Sequence, residues 1–342
     1  MGDHYFRQVK VRFSDDYFKR NHESISLNNP AKIFDFASDL YDGRNNIYAF
    51  MSYDAKLQPL DVIYFRGEHL RYYLDNPKDI IRILLLQNAT SYSLVHYLSL
   101  NDFDKYQLTD SLYTNNLVDL LKNFDFKYLD TIQVDPLKTY CSFQESKALM
   151  SNNSGEYISE KNIEYKCPQN LTFQSNLKAV MLDGVEYIGD NKTIEDAINI
   201  IGKEMSDYNY EEVCIINLNK TGVPKSYAVI SSGGLDRSIV DIRVLYQQAI
   251  LTNTDKIVML HNHPSGSTEP SDQDVVLTKR LIDVGKLVGV ELIDSVIVGA
   301  GYELSDFYSM REVFTDYFNT DYKVEYKRSH NYETVRSEEM TI

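Results

Sequence analysis

Cysteine is scarce. There are three in 342 residues, Cys141, Cys167 and Cys214, far apart and never in a C-x-x-C pair. That spacing excludes a disulfide framework and a thiolate zinc cage, and it suits a reducing compartment. Basic residues are in deficit too: 35 Lys and Arg stand against 50 Asp and Glu, a formal net charge of −15. So acidic a surface repels phosphate backbones, which excludes a protein that coats duplexes and disfavours direct nucleic-acid binding. Long apolar runs are missing as well. The most apolar stretch, Ile80 to Leu86, is broken by Arg82 and falls far short of the roughly 18 residues of a membrane span. Met1 to Phe6 contain no apolar signal core, and Phe6 stands where an acylation signal needs Ser or Thr. The expectation is a soluble, cytoplasmic protein with no membrane partner.

What is present is ordinary globular sequence, 43% hydrophobic and 25% charged, long enough for two cores. Residues 1–28 read as an N-terminal strand and leader, the strand being the alternating run Val9 to Phe13. Residues 29–145 read as a first α/β domain. Its elements are a helix capped by Asn29-Pro30, strands at 47–53 and 61–65, a helix from Asn76-Pro77, a strand at 91–96, a helix at 110–122 and a strand at 128–134. Residues 146–188, turn-rich around Ser151 to Gly155, read as a linker, with a strand from Leu177 to Leu182 within its last part. Residues 189–318 read as a second domain, with helices at 194–205, 239–252 and 272–288 and strands at 212–218, 226–231, 256–260 and 292–298. The tail, 319–342, is charged, and Lys323 to Arg328 is its one basic piece.

The element order of the first half recurs in the second, and a fixed offset tests the impression. At an offset of 165, Pro59 falls on Pro224, Asn88 on Asn253 and His96 on His261. At 164, Asp110 falls on Asp274, Thr114 on Thr278, Leu117 on Leu281, Asp119 on Asp283, Lys122 on Lys286, Asp130 on Asp294 and Val134 on Val298. The reading is a tandem duplication in which two mixed α/β sheets, flanked by helices, pack within one chain.

The sharpest local signal is His261-Asn262-His263-Pro264-Ser265-Gly266, followed by Ser271 and Asp274. His261 ends an apolar strand, and residues two apart on a strand project to one side, so both imidazoles can face a single point. Pro264 and Gly266 turn the chain, and Asp274 offers a carboxylate from the first turn of the next helix. Two His and one Asp leave a fourth tetrahedral position for water, the pattern of a catalytic zinc site. Ser271 and Asp274 also form an S-x-x-D pair, which taken alone reads as a helix capping box.

Leu260 to Gly266, Pro270-Ser271, Asp274 and Leu292 to Gly299 together resemble the RadC-like branch of the JAB/MPN metalloproteins, over about residues 190–312. The resemblance implies a cytidine-deaminase-like α/β fold and the JAMM motif: Zn2+ held by His261, His263 and Asp274, with an upstream glutamate as general base. The family's glutamate lies eight residues before the residue closing the first strand, here Asn219, which points to Glu211, with Glu212 as the alternative if the register slips. By the same pattern Ser271 donates to the oxyanion. The implied activity is that of a metallopeptidase or isopeptidase acting on a peptide or protein, the tail of a ubiquitin-like protein being one form of such a substrate.

Mapped onto the first half, the motif is incomplete. Leu98 stands at the place of His263, Asn46 at that of Glu211 and Gln107 at that of Ser271, so a degenerate, inactive JAB-like copy is expected at 29–145. Two other functions compete with hydrolysis. One is a DNA repair or anti-defence accessory of a mobile element or phage, and the other is a protein-interaction scaffold.

Overall fold

The computed structural model describes residues 5–13, 26–41, 43–146, 177–181, 185–186, 193–233, 240–301, 306–318 and 326. Most of the expected linker and nearly all of the expected tail lie outside them. The described residues form two compact units. One combines residues 5–13 with those from Leu177 onward, and the other is built from the residues between. The strand expected at Val9 to Phe13 is the second half of β1 (Tyr5–Phe13), whose backbone groups are paired inside the later unit.

In the intervening unit the elements run α1 (Pro30–Asp39), β2 (Ile47–Tyr53), β3 (Pro59–Arg66), α2 (Gly67–Asp75), α3 (Lys78–Leu86), β4 (Ser91–Tyr97), α4 (Phe103–Leu121), β5 (Lys127–Val134), β6 (Tyr140–Ser142) and α5 (Phe143–Ser146). Asn29 caps α1 by accepting from Lys32 N, and Pro30 occupies the first turn, where its missing N–H costs nothing. Ile33 and Ala37, one turn apart, pack with Ala49, Met51, Val95 and Ile132 of the sheet. The strand order is β3-β2-β4-β5-β6. Only the β4/β5 pair is parallel.

The other unit continues with β7 (Leu177–Met181), β8 (Val185–Glu186), α6 (Ile194–Met205), β9 (Glu212–Leu218), β10 (Pro224–Ser232), α7 (Ile242–Leu251), β11 (Lys256–His263), α8 (Asp272–Val288), β12 (Glu291–Gly299), β13 (Phe307–Ser309) and α9 (Met310–Val313). Its sheet has eight strands in the order β13-β12-β11-β9-β10-β1-β7, with β8 paired to β1. β1 lies parallel to β10 and antiparallel to β7. The expected linker thus supplies β7 and β8 to this sheet. On one face α6 buries Ile194, Ala197, Ile198 and Ile201 against Cys214, Ile216, Leu218 and Leu260. Because side chains alternate along a strand, Val213 and His261 point to the opposite face.

The five strands β10-β9-β11-β12-β13 repeat the order and directions of β3-β2-β4-β5-β6. Local details repeat with them. In the β2/β3 turn Asp54 Oδ1 accepts from Lys56 N and Gln58 N, and in the β9/β10 turn Asn219 Oδ1 accepts from Thr221 N and Val223 N. Leu57 and Gly222, at matching places in these turns, both have positive φ (61° and 85°), as do Asn88 and Asn253 (56° and 50°). Asp130 accepts from Ser142 Oγ at 2.6 Å and Gln144 N at 3.0 Å. Asp294 accepts from Ser309 Oγ at 2.5 Å and Arg311 N at 2.9 Å.

Burial pushes the Asp294 carboxyl up to about 6 against these donors, so the fold favours its neutral form. For an acid raised in the folded state, the stabilising contribution is present below the ordinary carboxylate range and lost as pH rises through about 6. Asp294→Asn gives up acceptor capacity at every pH but carries no such penalty. Its stability deficit against the native chain is expected to shrink by about 2 kcal/mol between pH 4.5 and 7.5 in urea unfolding. An equal deficit at both pH values would show that Asp294 does not titrate there.

Candidate metal centre

The site grows from the end of β11. His261 is 1% exposed, opposite Val213 of β9 and Ile297 of β12. Two residues on, His263 projects to the same side and pairs with Gly299. A Cβ at Gly299 would run into the backbone of Gly266, so only glycine there lets the Pro264–Gly266 turn close over the strand end. That turn is fastened by Gly266 N donating to His263 O at 3.0 Å, and His263 Nδ1 lies 3.0 Å from Ser267 O. With a carbonyl facing Nδ1, the proton belongs on that nitrogen and the Nε2 lone pair faces the cleft. Helix α8 begins at Ser271 with a capping box: Asp274 N donates to Ser271 Oγ, and Ser271 N donates to Asp274 Oδ2 at 2.7 Å. The cap fixes Asp274 beside the two histidines.

Three donor groups converge. His261 Nε2 and His263 Nε2 are 3.2 Å apart, His261 Nε2 and Asp274 Oδ1 are 3.2 Å apart, and His263 Nε2 and Asp274 Oδ2 are 3.5 Å apart. Ligands about 2.0–2.1 Å from a tetrahedral zinc stand roughly 3.3 Å from one another, so these spacings and this N/N/O donor set fit that ion. Among the described residues, this is the cluster of His, Cys, Asp and Glu side chains able to hold a metal. Burial works to raise the Asp274 carboxyl, but hydrogen bonds from the imidazolium forms of His261 and His263 outweigh it and hold the group well below the usual carboxylate range. His263 is raised by its bond to Asp274 against its own burial.

A cleft of about 650 Å3 lies over these atoms, lined by Glu211, Val213, His261, His263, Ser271 and Asp274 among others. Glu211 shares the strand face of Val213, which places it on the cleft. Glu212 turns to the α6 face, where it is 8% exposed and accepts from Ser232 Oγ at 2.8 Å. Burial raises its carboxyl. Ser271 lines the cleft, and its hydroxyl donates to Asp274 Oδ2 at 2.6 Å. The sequence did not single out Gln273 and Leu277, which also line the cleft. Their signal was helical spacing, since Leu277 follows Asp274 by three residues once Ser271 is fixed as the cap.

The family model of the RadC-like JAB domain matches residues 191–315, the segment that carries every one of these side chains. Residues 191–315 form a RadC-like JAB domain. The chain is similar to UPF0758 proteins. It is 36% identical over 111 residues to one from Clostridium acetobutylicum, covering 32% of this chain and 48% of that protein. It is 37% identical over 120 residues to one from Caldanaerobacter subterraneus subsp. tengcongensis, covering 34% and 52%. A third, from Syntrophomonas wolfei, is 30% identical over 161 residues, covering 44% and 66%. The chain thus spans about half the length of the first two relatives and just under two thirds of the third.

The positions that match this JAB site in the earlier unit are closed. His96 Nδ1 lies 2.9 Å from Asp110 Oδ2, and His96 Nε2 lies 3.1 Å from Asn46 Oδ1. Tyr48 OH donates to Asp110 Oδ1 at 2.5 Å, Gln133 Nε2 donates to Asp110 Oδ2 at 2.6 Å, and the Tyr48 ring stacks on His96 at 3.8 Å. Tyr48 and Gln133 occupy the places of Val213 and Ile297 in the JAB domain. Leu98, at the place of His263, is fully buried. Both carboxylate oxygens of Asp110 are taken by protein donors, and one imidazole with one carboxylate makes half a zinc site at most.

No helix among the described residues is long and apolar enough to cross a membrane.

Proposed function

We propose that the RadC-like JAB domain is a zinc-dependent hydrolase of amide bonds in a peptide or protein substrate. The observation that carries this reading is Glu211 facing the same cleft as the converging donors of His261, His263 and Asp274. A bound Zn2+ would supply Lewis acidity toward a water and toward the substrate carbonyl. Glu211 takes the proton of the attacking water and returns it to the leaving amine, as a carboxylate at the cleft rim can. Ser271 holds Asp274 through its backbone N–H, and its hydroxyl, which donates to Asp274 before substrate binds, turns to donate to the carbonyl oxygen as charge builds there. Val213 and Leu277 give the cleft part of its apolar wall.

We read residues 29–145 as a second, inactive JAB-like copy. Its support is the shared strand order, the matching turns and the paired Asp130 and Asp294 networks.

The test is a screen of peptide and isopeptide substrates with the zinc-loaded chain, repeated after chelation and again after zinc is restored. Hydrolysis is expected to vanish with the metal and to return with it. Hydrolysis indifferent to chelation, or none with any amide substrate while zinc is bound, removes this reading.

A further inference from the structure

The backbone ladder between β9 and β11 runs from Lys256↔Leu218 to His261↔Val213 and stops there. The next facing residues, Asn262 and Glu212, are joined by a side chain instead. Asn262 Oδ1 accepts from Glu212 N at 2.8 Å, and Asn262 Nδ2 donates to Tyr210 O at 3.0 Å. A carboxamide offers the same donor and acceptor as a peptide group. Asn262, 1% exposed, therefore prolongs the ladder while keeping the two main chains a side chain apart. The groups it clamps flank Glu211 on either side. From the opposite edge Gly233 N donates to Glu211 O at 2.8 Å. The main chain of Glu211 is thus held on both sides while its side chain lines the cleft.

The earlier unit supplies an internal comparison. Tyr97 stands there at the place of Asn262, and Asn46 at that of Glu211. Without an interposed amide the ladder stays closed: Ile47 pairs directly with Tyr97, and Asn46 N donates to Tyr97 O at 2.7 Å. Asn46 is bent into the left-handed region (φ 55°), and its side chain meets the His96 ring. With the strands closed, the residue at the position of Glu211 lies against the histidine and leaves no gap between them. The two units share topology, turns and buried aspartates, and at this strand end Asn46, Tyr97 and Leu98 stand where the later unit has Glu211, Asn262 and His263; of these, Asn262 bridges the two main chains through its carboxamide.

We propose that Asn262 is a positioning residue whose carboxamide splints β9 to β11 and sets Glu211 across the cleft from His261, His263 and Asp274. Its kinetic arm rests on the hydrolase reading above, and its structural arm does not. The variants are Asn262→Ala, which removes both bonds, and Asn262→Asp, which keeps the acceptor for Glu212 N and loses the donor to Tyr210 O. Amide exchange at Glu212 and zinc per chain are measured on the full chain.

In Asn262→Ala, exchange at Glu212 is expected to quicken about tenfold, in line with one lost buried hydrogen bond. In Asn262→Asp it should quicken less, and zinc content should stay at the native level in both. On a hydrolysed substrate, kcat in Asn262→Ala is expected to fall on the order of 100-fold with KM held, as for a misplaced catalytic group. Should the alanine variant fail to fold, the aspartate variant supplies the same comparison, with a partial loss of kcat expected at native zinc content. Native exchange at Glu212 in the alanine variant overturns the proposal. Loss of zinc overturns it too, because Asn262 would then support the ligands rather than Glu211. A native chain that hydrolyses nothing defeats the hydrolase reading alone, and exchange and zinc content still decide the case of Asn262.

Discussion

Replacing His263 by alanine is expected to take zinc from about one ion per chain to near none, read by elemental mass spectrometry on protein purified without a metal-binding tag. His263 supplies one of three converging donors, and its side chain is 18% exposed at a strand end, so its removal opens no cavity in the core. The fold should survive with a small change in stability. Removing even an outer partner of a metal ligand costs about 10–100-fold in affinity, so losing a ligand itself should cost more. Bound zinc also stabilises the folded state by mass action. A chelator should therefore lower the Tm of the native chain and leave that of His263→Ala unmoved. The native stoichiometry matters equally. One ion agrees with the closed network of Tyr48, His96, Asp110 and Gln133, whereas two would mean that network opens to a metal. Undiminished zinc in His263→Ala would sink the assignment of this site.

Much of the fold was legible because periodicity and end signals agreed. The helices expected at 194–205 and 272–288 and the strands expected at 47–53 and 212–218 coincide with α6, α8, β2 and β9. The helices carry an apolar repeat and the strands a short, near-continuous apolar run, and both helices open on a Thr or Ser cap three residues before an aspartate. Helix α2 was not legible. It starts at Gly67 without a side-chain cap, and Tyr72-Tyr73 suit a strand as well as a helix. The start of α4 was misjudged for a related reason, since Phe103 to Thr109 carry little apolar periodicity. The partners of β1 were beyond reach, because its register with Ser226 and Tyr227 spans more than 200 residues and a strand's own pattern does not name its neighbour. At the site, spacing alone sufficed for His261, His263 and Asp274, because strand alternation and a capping box are local. Which of Glu211 and Glu212 lines the cleft depended on the register of β9, and the bonds of Asn262 needed the point at which two strands part. Neither of those is written in local sequence.

Glu211→Gln separates chemistry from metal binding. The substitution keeps the size of the side chain and removes its ability to take a proton, and residue 211 lies outside the three-donor cluster. Zinc per chain is expected to be unchanged, and hydrolysis of any substrate the native chain accepts should fall by about 10²–10⁴, the usual worth of a general base. Because the loss falls on the transition state, kcat should drop while KM stays close to native. Glu212→Gln is the matched control one residue away. Its carboxyl is raised by burial on the α6 face and is bonded to Ser232 Oγ, so a neutral isostere there suits the site and should leave kcat within about a few-fold of native. The ratio between the two variants reads the strand register directly. Equal losses would mean the effect travels through β9 as a whole. A larger loss at Glu212 would reverse the assignment, because successive residues of one strand cannot both face the donors of His261 and His263.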